Sequence, residues 1–129
     1  MNTPHQLVIF DNDGVTVLNK DVDDRTVIQL ASARIYFCEL LHVKFHRVAG
    51  TAANWRPEVL GGRNGLTEAA GGAGSVYRNA AAIVGTDIKV EDLNRFFMTD
   101  TLGRFYILWA WDAGADNDGT FELAVRVYR

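Results

Sequence analysis

Cysteine is almost absent from this chain. Its one copy, Cys38, excludes an intrachain disulfide, and a lone thiol suits a reducing compartment. Long hydrophobic runs are missing as well. The most apolar stretch, 105–111, falls far short of the ~20 residues that a membrane-spanning helix needs. The opening Met1-Asn2-Thr3-Pro4-His5-Gln6 lacks both the basic start and the apolar run of a signal peptide. These absences point to a cytoplasmic protein with no membrane partner. There is no block of one charge: 13 basic residues stand against 16 acidic ones, for a net charge of -3. A sequence-independent nucleic-acid binder carries a basic stripe, so no nucleic-acid partner is expected. Heptads, long repeats and low-complexity tails are also missing.

What is present suits one core. At 129 residues and 48% hydrophobic, the chain has the size and composition of a domain that folds without disulfides or metal. Residues 1–129 are therefore read as a single β-sandwich-like domain.

Hydrophobic period decides the element type. In Phe121-Glu122-Leu123-Ala124-Val125-Arg126-Val127-Tyr128-Arg129, alternate residues are Phe, Leu, Val, Val, which predicts a strand with one face on a core. Residues 104–112 (RFYILWAWD) are apolar at both parities, as in a strand covered on both sides. Such a strand is central in a sandwich or meets another subunit. The Asp-, Asn- and Gly-rich stretch between these two runs reads as a turn, making them an antiparallel hairpin. Residues 34–48 (RIYFCELLHVKFHRV) form a third period-two run, long enough to need a bend or bulge. Shorter strands are expected at 6–10, 15–19 and 26–30. Residues 61–74 hold six glycines in fourteen positions and read as a long loop. Residues 76–84 fit a helix or a small-residue strand equally. Residues 90–98 (VEDLNRFFM) read as a short helix with Asp87 as N-cap.

One motif carries chemistry. Leu7-Val8-Ile9-Phe10-Asp11-Asn12-Asp13-Gly14-Val15 resembles the first motif of haloacid dehalogenase-like phosphatases, an apolar strand ending in D-x-D-G-[TV]. The resemblance implies a phosphoryl-accepting Asp11, a general acid/base at Asp13, and magnesium to screen the carboxylates. It also implies a later Ser or Thr, a lysine and an acidic pair. Ser32, Lys44 or Lys89, and Asp112 with Asp116 are the available residues. That family's sheet is parallel with helical crossovers, whereas the periodicity here describes antiparallel strands. The direction of the strand ending at Phe10 separates the two. As a plain alternative, DNDG occurs twice, at 11–14 and 116–119, and is turn chemistry each time.

Other constellations fall short. A calcium loop ending at 125 would lack its first and last ligands, since Gly114 and Val125 stand there. Cys38, His42 and His46 are spaced like a soft-metal set, but on a strand each step of four residues spans about 13 Å, too far for one ion. No phosphate-cradling glycine pattern or nucleophile elbow is present. No metal or cofactor is assigned. Trp55, Arg56, Arg63 and Asn64 flank or lie in the glycine-rich loop and are of the types that anchor binding surfaces. Trp55 with that loop as a lid would make a small-ligand site.

The sequence thus predicts a mainly antiparallel β-sandwich with a short helix and a long glycine-rich loop. The expected function is non-catalytic: a binding or assembly module, self-associating or meeting a protein partner through a surplus apolar sheet face. Tyr36, Leu40, Trp109 and Trp111 are the residues nominated for that face. The alternative is the magnesium-dependent phosphatase using Asp11 and Asp13.

Overall fold

A computed structural model of the chain describes residues 5–11, 18–19, 25–49, 54–62, 74–78, 83–84, 88–109 and 118–128. They form β1 (His5–Asp11), β2 (Leu18–Asn19), β3 (Arg25–Gln29), β4 (Phe37–Ala49), β5 (Asn54–Trp55) and β6 (Glu58–Leu60), followed by β7 (Ser75–Arg78), β8 (Ile83–Val84), β9 (Ile88–Met98), β10 (Arg104–Leu108) and β11 (Asp118–Tyr128). Two antiparallel four-stranded sheets result, β1-β11-β4-β9 and β3-β10-β6-β7. The short β2 adds to β11, and β5 pairs with β8. Apart from the two-residue strands, the pairing is nested: β1 with β11, β3 with β10, β4 with β9, and β6 with β7. A long antiparallel hairpin folded over itself in this way closes through the β11–β4 and β10–β6 pairings. That strand order is a jelly roll.

The two sheets face each other across an aromatic core. Phe45 of the first sheet meets Tyr77 and Trp109 at centroid distances of 6.4 and 6.1 Å. Phe105 of the second sheet meets Phe10 at 5.6 Å and Phe97 at 5.0 Å. Trp109 also packs on Trp55 at 5.8 Å and on Phe121 at 6.2 Å. These separations lie in the favourable range for aromatic pairs. Phe121, Leu123, Val125 and Val127 are all buried, as the period in β11 predicts. Strand β10 is central in its sheet. Phe105 and Ile107 face the main core, while Tyr106 and Leu108 are buried with Leu60 in a second cluster. Both faces are therefore covered within the chain.

Strand β4 contains the expected bulge. Its register shifts against β11 and β9 around Leu40–His42. An extra residue reverses parity, so Cys38 and Leu40 point inward before the shift, and Val43 and Phe45 after it.

Three sequence expectations fail. Residues 90–98 are β9, not a helix, and no helix occurs among the described residues. As an edge strand, β9 carries polar Glu91 and Arg95 on its inner side, where they bond to β7, with Phe96 and Met98 on its outer side. That mixture hides the period of two. Strands β10 and β11 do not form a hairpin with each other but lie in different sheets. Each is apolar enough to be a central strand, and each takes its partners from the nested order instead. The second DNDG is not wholly a turn, because Asp118 and Gly119 open β11 at a register shift. Most of the glycine-rich stretch, the first DNDG beyond Asp11, and residues 79–82 lie outside the described residues.

A polar node where β9 crosses to β10 ties the two sheets together. Asp100 Oδ1 accepts from the Leu102 and Arg104 amides, both at 2.9 Å. Its Oδ2 accepts from Arg104 Nε at 2.9 Å and from the Tyr106 hydroxyl at 2.8 Å. Two glycines allow the close approach. At Gly62 a Cβ would lie 1.8 Å from the Asp100 nitrogen. Gly103 has φ 73°, in the left-handed region that favours glycine, and its amide donates to Asp100 O.

Burial would raise the Asp100 carboxyl, but its hydrogen bonds outweigh that and hold it below the usual carboxylate range. A depressed acid contributes stability above its unfolded pKa, near ~3.9, and loses it as pH falls through the folded value. Asp100→Asn should therefore cost about 2–3 kcal/mol at pH 7. In urea unfolding the difference from the parent should narrow at pH 3. A difference that stays constant across that range would contradict the node's ionic character.

Candidate functional site

Among the described residues, most of the large apolar side chains that the fold leaves exposed lie on the outer face of the first sheet. Register places side chains on that face in rows. One row runs Leu7–Arg126–Glu39–Phe96, and the next holds Tyr128, Phe37 and Met98. Leu7, Ile9, Phe37, Phe96 and Met98 are between 47% and 59% exposed. Phe37 stacks on Phe96 at 5.4 Å, with an interplanar angle of 20°, and meets Tyr128 at 5.8 Å. Five such side chains offer on the order of 500 Å² to solvent, taking roughly 200 Å² for each when free. That is at the upper end of what a monomer's largest patch displays.

A charged pair sits inside this patch. Glu39 is buried although its strand position faces outward. Its Oε1 accepts from Arg126 Nη1 at 2.8 Å and from the Tyr128 hydroxyl at 3.2 Å. The aliphatic stem of arginine covers apolar surface while its head stays polar, so this pair continues the patch across the middle strands.

The other half of the face carries charges of both signs beside the exposed Val90, which pairs with Lys44. His42 Nδ1 lies 2.8 Å from Asp92 Oδ1, and its Nε2 lies 3.8 Å from Glu122 Oε1. Lys44, exposed in the next row, makes no ion pair among the described residues.

The nominated residues lie elsewhere. Tyr36, Leu40 and Trp109 are buried inside the chain, so they offer no face to a partner. Trp111 lies outside the described residues. The extra residue in β4 explains the exchange, because it turns Phe37 outward and Leu40 inward. Trp55 is also core, edge-on to Phe45 at 5.9 Å. Arg56 is half-buried, and Arg63 and Asn64 lie outside the described residues. Cys38 and His42 are on opposite faces, since the bulge separates them; burial pushes the Cys38 thiol up to about 12. Among the described residues no group of His, Cys, Asp or Glu could hold a metal ion.

The phosphatase resemblance loses the fold it implies. Strand β1, which ends at Asp11, runs antiparallel to its neighbour β11, and Asp11 lies opposite Glu122. Asp13 and Asp112 lie outside the described residues.

Sequence reasoning missed Phe37, Phe96 and Met98. The available signal was the adjacent pair Phe96-Phe97, one of which must face outward in any strand.

The Glu39–Arg126 pair has one buried and one partly exposed partner, so solvent moderates it. A double-mutant cycle of Glu39→Gln and Arg126→Gln, read by urea unfolding, should give a favourable, non-zero coupling. Strict additivity would show that the pair contributes nothing.

No helix among the described residues is long and apolar enough to cross a membrane. The chain matches no protein-family model and no curated protein in sequence.

Proposed function

We propose that this chain is a non-catalytic assembly module that self-associates through the outer face of the β1-β11-β4-β9 sheet. The observation that carries the reading is the Phe37–Phe96 stack, held in solvent on a regular sheet surface beside Met98. Exposing two aromatic rings costs solvation free energy that a covering partner would recover. A jelly roll serves in capsid shells, lectins and cupins alike. Its strand order therefore does not choose a function, and the face has to.

A second copy fits this face better than an unrelated partner. The apolar area is less than the roughly 800 Å² per side of a standard interface, and the charged half of the same face can supply the remainder. That half contains Lys44 along with Asp92 and Glu122, so it complements itself. Two copies related by a two-fold axis can set each Lys44 against a carboxylate of the other, as isologous contacts require. Arg126 and Tyr128, beneath and beside the stack, are of the types that anchor interfaces.

Light scattering coupled to size exclusion tests this. The parent chain should show a mass above that of one copy, falling to a single copy in Phe37→Ser/Phe96→Ser. Both positions are exposed in the single chain, so the variant should keep the parent's circular dichroism spectrum, while its melting temperature should no longer rise with concentration. Val27→Ser, on an exposed position of β3, should leave the assembly intact. A parent that remains monomeric at high concentration would overturn self-association.

A further inference from the structure

A second feature of the molecule, on the inner side of the first sheet's edge, has the build of a small-ligand site. A cleft of about 500 Å³ opens between the edge strand of each sheet, β1 and β3. Its walls are apolar: Val8 and Phe10 from the inner side of β1, with Leu30 and Val127 behind them. Its rim is polar, made by Gln6, Gln29 and Ser32. Among the described residues, Arg34 is the one charged residue in the lining, and it makes no ion pair with any of them. Its guanidinium carbon lies 4.2 Å from the centroid of the Tyr36 ring. A guanidinium laid over a ring keeps its N–H donors at its edges, where they can grip a carboxylate. Hydrogen bonds from Ser32 and Arg34 hold the Tyr36 phenol below its usual pKa, so donors converge at this point of the rim.

The rim is rigid before any ligand arrives. The Leu30 amide donates to Gly103 O at 2.9 Å, and Gln29 Nε2 donates to Leu102 O at 2.7 Å. The Tyr36 amide donates to Thr99 Oγ1 at 2.8 Å, while the Thr99 amide returns to Tyr36 O at 3.0 Å. The single Thr99 hydroxyl proton is shared between Asp100 O at 3.1 Å and Arg34 O at 3.3 Å. Residues 30–36 are thus clamped onto the turn organised by Asp100. Ligand sites are usually concave, mainly apolar and largely preformed, with a few placed polar groups and a volume of roughly 300–1,000 Å³.

We infer that this cleft binds a small amphiphilic carboxylate, with its head on Arg34 at the rim and its aliphatic or aromatic body against Val8, Phe10 and Leu30. The volume accommodates a body of several carbons, and the Arg34 guanidinium, which meets no carboxylate among the described residues, selects one negative charge over none.

Octanoate, octanol and acetate separate the contributions of head and body. In titrations followed by NMR, octanoate should perturb Val8, Ser32 and Tyr36 and bind at least tenfold more tightly than octanol, with acetate weaker than both. Arg34→Gln should cost octanoate about tenfold, the low end for a charge-assisted contact, and leave octanol unchanged. Arg34 is exposed, so this variant should keep the parent's circular dichroism spectrum. Ala31→Trp at the mouth should weaken octanoate and octanol together. Equal affinity for octanoate and octanol, or an Arg34→Gln variant that still discriminates, would overturn the proposal. So would shifts confined to Phe37 and Phe96, which would place the probe on the outer face instead.

Discussion

The extra residue in β4 sets the distribution of apolar side chains between inside and outside. Around Leu40–His42 the strand slips against both neighbours, and its inward parity changes. Without that slip, one half of the strand would turn Val43 and Phe45 to solvent or would bury Phe37. With it, Cys38, Leu40, Val43 and Phe45 all reach the core. Phe37 and Glu39 are turned out, beside Phe96 on β9 and Arg126 on β11. The aromatic core and the apolar outer patch therefore share one backbone irregularity. Bulges re-aim side chains in this way, at the cost of an unpaired residue in the ladder.

A second constraint acts at right angles to the first. The Asp100 node joins β9 of one sheet to β10 of the other and receives the segment that links β3 to β4. Thr99 bonds this segment through its backbone amide and its hydroxyl. Gly62 and Gly103 supply the room it needs. Neither candidate site is built on a free loop. The outer patch lies on paired strands, and the rim of the cleft is tied to a turn whose carboxylate accepts four hydrogen bonds. Sites on elements fixed in this way hold their geometry better than sites on mobile segments.

Much of the fold can be read from the sequence, because most of its strands obey one rule. The alternation in β11 and the double-sided apolarity of β10 translate directly into the centres of the two sheets. The break in β4 follows from its length. What could not be read is which strands pair. A jelly roll brings together strands far apart in the chain, whereas turn-rich connections suggest neighbours. Hence β10 and β11 look like a hairpin and are not one. Strand β9 was disguised for a related reason. As an edge strand its inner side carries Glu91, which accepts from the Tyr77 hydroxyl, and Arg95, which donates to Val76 O. Its outer side carries the rings of the patch. The candidate site was illegible for the same cause: it consists of side chains on the unexpected parity of β4 and β9. The nominated Tyr36, Leu40 and Trp109 satisfy the core instead.

The proposed self-association requires copies to meet at the outer face of the first sheet. A photo-reactive benzophenone side chain in place of Phe96 probes that face directly, since it captures only what lies within a few ångströms of it. Irradiation should yield a species of twice the mass, with the new bonds joining position 96 to outward residues of β1, β4 or β9 in a second copy. Bonds to the exterior of the β3-β10-β6-β7 sheet, or no captured copy at a concentration where the parent chain self-associates, would contradict it.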